Sequence, residues 1–236
     1  MRTVWIVLFA CLTVSVPCAA SAQTVIGLGA NVFFEDSKLN GTQQISVQEN
    51  DESFEYRSDS FLTGSLWFLL QLTERIRVGS MLDYYGTYTS ATKCQEGQCD
   101  NPDFEPDLFV FGKLLEFHGR FEYGIGVTEE VSLLLGTVFG APILFPGGDF
   151  KDHIDSLQEQ GAGVLDLPRV GYLIGPNIGA RWTYSEHLAF RSDVIIKWEQ
   201  IFLFRTAQNI DGIPFRKTWT TGTLRYEIGL GVEVAL

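Results

Sequence analysis

Residues 224–236 constrain this chain most. They read L-R-Y-E-I-G-L-G-V-E-V-A-L, and every second one is apolar: Leu224, Tyr226, Ile228, Leu230, Val232, Val234 and Leu236. The residues between them are charged or small: Arg225, Glu227, Gly229, Gly231, Glu233 and Ala235. A period of two puts the two sets on opposite faces of a β-strand. The alternation runs to the last residue, with no polar tail after it.

The start of the chain is different. Met1-Arg2 is a short basic segment, residues 3–16 are mostly apolar, and Ala20-Ser21-Ala22 is an A-x-A cleavage pattern before Gln23. Residues 1–22 are therefore expected to be a cleaved signal peptide, leaving 23–236 as one domain. Cleavage removes Cys11 and Cys18. Cys94 and Cys99 remain in C-Q-E-G-Q-C, and an exported chain is expected to oxidise them to a local disulfide. No later apolar run is long enough for a membrane helix.

Three short polar segments punctuate the rest. They are Thr73-Glu74-Arg75, Thr128-Glu129-Glu130 and Ser185-Glu186-His187, each a hydroxyl residue, a Glu and one more polar residue before an apolar strand start. Thr73 and Thr128 are 55 residues apart, and Thr128 and Ser185 are 57 apart, which is a structural period. Three turns join six strands in pairs, and a strand at each end gives eight. The expected strands are 24–34, 56–72, 76–89, 107–127, 131–145, 170–184, 188–203 and 218–236. The long connections 35–55, 90–106, 146–169 and 204–217 are expected to be external loops. A ten-stranded form stays open if 145–170 hides a hairpin, although residues 151–159 read more like a turn or two of helix. I-G-L-G occurs at 26–29 and again at 228–231, which fits a closing seam between first and last strands and fits chance equally.

Alternation does not say which face points inward, since a soluble lipocalin-like barrel alternates too. Two features favour lipid outside. The polar face is rich in glycine and nearly balanced in charge, as an enclosed lumen of ion pairs requires. Its members are Arg77, Asp83, Glu116, His118, Arg120, Glu122, Arg181, Arg191, Asp193, Lys197, Glu199, Arg225 and Glu227, with Glu233 beyond them. The apolar face carries Phe109, Phe111, Phe117, Phe121, Tyr123, Tyr172, Trp182, Tyr184, Phe190 and Trp198, the makings of interfacial girdles. A closed sheet is also the only β architecture that lipid tolerates. The formal net charge is −12, and its acidic excess lies in the external connections, which disfavours nucleic acid as a partner.

Terminal strand, alternation and turn spacing together resemble the small bacterial outer-membrane barrels of the OmpA-barrel/OmpX class. That class usually ends in an aromatic residue where this chain has Leu236. The resemblance covers the mature length and rests on pattern. It implies an all-β, eight-stranded antiparallel up-and-down transmembrane barrel in the bacterial outer membrane, surrounded by lipid and lipopolysaccharide. It also implies a non-enzymatic structural or surface-binding role, through the external loops or within an envelope assembly, with no cofactor or metal. Two other readings stay open: a lipid-modifying or proteolytic barrel enzyme, and a narrow OmpW-like channel for small molecules. Neither His118 nor His187 has the His-x-Ser spacing of a deacylase-like barrel, and His153-Ile154-Asp155 is a lone pair in a loop. A His within hydrogen-bond reach of a Ser or Asp would favour the enzyme.

Overall fold

Alternation written into the sequence becomes nine strands and one helix. The structure, a computed structural model, describes residues 23–92 and 107–236; the expected leader, Cys94 and Cys99 lie outside them. The elements are β1 (Gln23–Ile45), β2 (Gln48–Ser58), β3 (Leu62–Gln71), β4 (Ile76–Thr92), β5 (Leu108–Gly126), β6 (Val131–Pro146), helix α1 (Gly148–Glu159), β7 (Arg169–Thr183), β8 (Leu188–Ile210) and β9 (Ile213–Ala235). Neighbours pair antiparallel, and β1 pairs β9 from Val25↔Ala235 to Ile45↔Phe215, which closes the ring. On its other side β1 pairs β3 up to Val32↔Leu62, then β2 from Ser37↔Tyr56. β2 and β3 thus share one position, and eight strands close the barrel.

The three short turns are built alike. Thr73 Oγ1 accepts the Ile76 amide at 3.0 Å, Thr128 Oγ1 accepts the Val131 amide at 3.0 Å, and Ser185 Oγ accepts the Leu188 amide at 3.1 Å. A hydroxyl three residues before the strand satisfies an amide that a tight turn would strand. At the closing seam, Gly29 faces Gly231 and Asn31 faces Gly229. A Cβ on Gly27 or Gly231 would collide with the indole of Trp67, which lies inside the barrel against them.

Two expected loops are paired β-hairpins instead. Residues 35–55 continue β1 and turn at Ser46-Val47 into β2, and residues 204–217 continue β8 through Asp211-Gly212 into β9. Asp-Gly with φ of 51° and 83° is the left-handed pair that a two-residue hairpin turn requires. The ten-stranded form does not occur: 148–159 is α1.

Along β9, exposed Leu224 to Val234 mark the outer face, and Thr220 and Thr218 continue it in polar form. Ten residues of strand tilted by ~40° span about 25 Å, the height of a lipid-facing belt. Two aromatic groups border the belt. Trp182 lies 5.9 Å from Tyr184 and 5.6 Å from Phe190 at the short-turn end; Tyr172 lies 5.3 Å from Trp198 and 6.0 Å from Phe202 at the other. Phe111 corrects the expected face assignment. It is buried inside the barrel, and Phe109 packs beside it. The cause is the second of two bulges in the β4–β5 ladder: between Tyr88↔Gly112 and Thr89↔Val110, Phe111 is an extra residue on β5, beside Gly112 at φ +125°, whereas the first bulge leaves Tyr85 extra on β4. Each extra residue reverses which side chains face inward.

Gly231→Leu is expected to overpack the seam against Trp67 and cost about 1–3 kcal/mol. The heat-shifted band of folded barrel on SDS gels should shrink for this variant. Gly126→Ala, where a Cβ meets nothing within 4 Å, should leave the band unchanged.

Candidate functional site

Inward-facing residues of seven strands meet in two charged layers. Nearest the short turns, Arg77 of β4 bonds Glu233 of β9 at 3.0 Å and pairs with Glu122 of β5 at 2.9 Å. Arg120 of β5 bonds Glu122 at 2.5 Å and Asp193 of β8 at 2.8 Å. Arg191 of β8 bonds Glu122, Asp193 and, at 3.0 Å, Glu233. Arg181 of β7 bonds Glu233 at 2.8 Å.

The second layer lies further from the turns. Lys197 of β8 reaches Asp83 at 3.1 Å, Glu116 at 2.6 Å, Glu227 at 2.7 Å and the Tyr85 hydroxyl at 2.7 Å. Arg225 of β9 bonds Glu116, Glu199 at 2.9 Å and Glu35 at 2.8 Å. Neutral donors add to these carboxylates. Ser65 bonds Asp83 at 2.5 Å, Tyr88 bonds Glu35 at 2.6 Å, and Tyr85 bonds Glu227. His118 Nε2 lies 2.8 Å from Asp83 Oδ2. Asp83, Glu116, His118, Lys197, Glu199, Arg225 and Glu227 are all buried.

All thirteen charged and histidine residues named from the sequence for the lumen lie in these layers. Glu35 is a correction, because the sequence reading put it in an acidic external loop. It continues the inward row Asn31, Phe33, Glu35, Ser37, Leu39 of β1, and that row was the signal for it. Tyr85, Tyr88 and Ser65 were also missed, since a hydroxyl carries no charge pattern. Asp83, Glu116 and His118 bring potential metal ligands within 4.8 Å of one another. The Lys197 ammonium already rests on two of them and takes the place of a cation there.

Beyond the second layer the interior turns apolar. α1 folds back over the barrel mouth and buries Phe150, Ile154 and Leu157 against Leu39, Tyr56, Phe111, Phe204, Phe215 and Trp219. His153 stacks on Trp219 with ring centroids 5.0 Å apart, while Asp155 turns to Lys151 at 3.0 Å. The His153–Asp155 pair of the sequence is therefore split between different partners.

No family model matches the chain, and no curated protein matches its sequence. Among solved structures it is similar to Neisserial surface protein A, at 10% identity over 87% of this chain and 98% of that one, with a TM-score of 0.41. It is similar to the outer membrane protein AlkL in lipid bilayers, at 10% identity over 94% and 95%, TM-score 0.44. It is also similar to the outer membrane protein OprG of Pseudomonas aeruginosa, at 14% identity over 90% and 95%, TM-score 0.42. This chain's own polarity is inverted relative to a soluble protein, with ion pairs inside and a greasy belt outside. It is a transmembrane β-barrel of the outer-membrane type.

Two outcomes follow. Arg225→Met leaves Glu35, Glu116 and Glu199 without their shared guanidinium, and should cost about 3–5 kcal/mol in urea unfolding of the detergent-folded barrel. Arg205→Met, at an exposed position, should stay within about 0.5 kcal/mol. The second outcome concerns His153, whose pKa is held down at about 4 by burial and by Lys217. A displaced plug returns this imidazole toward 6.5 and binds the proton more readily. Closure should therefore be strongest above pH 6.5 and weaken as pH falls toward about 4. Amide exchange in α1 should quicken, beyond its intrinsic pH trend, between pH 7.5 and 5, and His153→Phe should remove that excess.

Proposed function

We propose that the protein is a closed, non-enzymatic barrel of the bacterial outer membrane whose role is carried by the part standing above the lipid. One observation carries this reading. The lumen is shut by ion pairs and again by an apolar plug, while two hairpins with polar outer faces rise past the belt. Strand pairing gives those hairpins a defined shape, as a surface that docks a partner needs. Their acidic outer residues, among them Asp36, Glu49, Asp51 and Glu55, suit a basic protein partner or a cation-bridged envelope component.

His118 and Asp83 meet the geometric criterion set for an enzyme. Both are fully buried, though, and Asp83 is shared with Ser65 and Lys197, so the pair serves the lumen network. A narrow channel for small molecules keeps one supporting feature. Where β1 leaves β3 for β2, a cleft opens beside Phe34, Arg57 and Phe61, with Phe34 and Phe61 exposed at the top of the belt. It ends against Glu35, which Arg225 and Tyr88 hold.

Complementation of a gene-deletion strain separates these readings. Removing 41–52, which are paired across Gly41↔Glu52, should abolish rescue while the heat-shifted band persists. His118→Gln should rescue fully. Full rescue by the shortened hairpin together with failure of His118→Gln would move the function into the lumen.

A further inference from the structure

β8 continues to Ile210, although its last pairing with β7 is Ile201↔Gly171. The connection between α1 and β7 lies beside that unpaired edge and leaves a groove lined by Leu165, Leu167, Arg169, Arg205 and Thr206 among others. We propose that this groove is a binding site for a phosphorylated lipid of the surrounding outer leaflet, held by Arg169 and Arg205 at its phosphate, with its acyl chain running down the exposed belt over Val170 and Phe202.

Four observations point there. The first is height. Val170, Tyr172 and Phe202 are the top of the exposed belt on β7 and β8, and Arg169 and Arg205 follow immediately above them. Lipid phosphates lie at that level. The second is charge on an otherwise acidic rim. Arg205 has no ion pair among the described residues, and Arg216, exposed on the neighbouring strand, has none there either. Asp166, the acidic group beside Arg169, is offset by Lys151 at 3.1 Å.

The third is preorganisation. The Arg169 guanidinium sits 5.9 Å from the Phe150 ring centroid and 5.6 Å from that of Phe204, and it donates to the Leu165 carbonyl at 3.0 Å. Its Nε–H is buried without a partner. An arginine fixed by two rings with donors to spare suits a phosphate oxygen. The fourth is the apolar surface directly below the two arginines, where Val170 is 50% and Phe202 40% exposed. Apolar surface under guanidinium matches an amphiphile, with its charge and its chain on adjacent surfaces. A soluble anion would leave the apolar surface unused.

The site rests on the outer-membrane reading above, and the test keeps the two apart. The full mature protein, folded in detergent, is incubated with diphosphorylated lipid A, with its dephosphorylated form, or with inorganic phosphate, and retained ligand is read by native mass spectrometry. The diphosphorylated lipid should be retained, and the Arg169→Gln/Arg205→Gln variant should bind it about tenfold more weakly. The dephosphorylated lipid should bind the wild type as weakly as that variant binds the phosphorylated one, and inorganic phosphate should not compete at equal concentration. Arg205→Gln alone, judged folded by its heat-shifted band, should show a several-fold loss and keeps the test valid if the double variant does not fold. Equal retention by wild type and variants, equal retention of both lipids, or full competition by phosphate would each overturn the site. A protein recovered in the outer-membrane fraction that holds no lipid refutes the groove alone; a soluble periplasmic protein refutes both readings.

Discussion

An ion inside a lipid-wrapped lumen has little water to turn to, so each must find its counter-ion on another strand. That requirement organises this barrel. Lys197 on β8 ties to Asp83 on β4 and Glu116 on β5, Arg225 on β9 ties to Glu116 on β5 and Glu35 on β1, and Arg191 on β8 ties to Glu122 on β5. All but Arg225–Glu35, which joins the paired neighbours β9 and β1, cross the lumen between strands that are not neighbours in the ladder. Hydrogen bonds of the sheet alone would leave the ring free to flatten; the cross-lumen pairs brace it. They also occupy the space through which a solute would pass.

The same constraint explains why the interior changes character along its length. Within the belt the outer face must be apolar, so polar side chains are left to the inner face. Above the lipid the outer face meets water, and the inner face is free to be apolar. The inward row of β1 runs Asn31, Phe33, Glu35, Ser37 and then Leu39, while the outward row runs Val32, Phe34 and then Asp36, Lys38 and Asn40. The phase of the alternation inverts at the membrane surface. α1 then finds an apolar socket to fill, and Arg169 and Trp219 form its polar-edged wall.

That inversion also accounts for what the sequence disclosed and what it hid. The terminal strand, the three hydroxyl-capped turns and the charged lumen row were legible because each is a local pattern within the belt. Residues 35–55 and 204–217 read as loops because their outward faces are polar, although Asp211-Gly212 is a hairpin signal in plain view. Glu35 went to the wrong side for the same reason: its neighbours in sequence are acidic, but its partner Arg225 is 190 residues away. Phe111 could not be placed because a bulge shifts register through pairing, which no single strand encodes. Trp67 could be understood only once β3 lay beside the glycines of β1 and β9.

Single-channel recording in planar bilayers tests most directly whether this barrel is closed. The protein comprising residues 23–236 should show no large, steady conductance. A variant lacking the plug residues 148–166 should show none either, because the two ion-pair layers still block the lumen. A steady porin-like conductance from the intact protein would contradict a lumen sealed by its own charges.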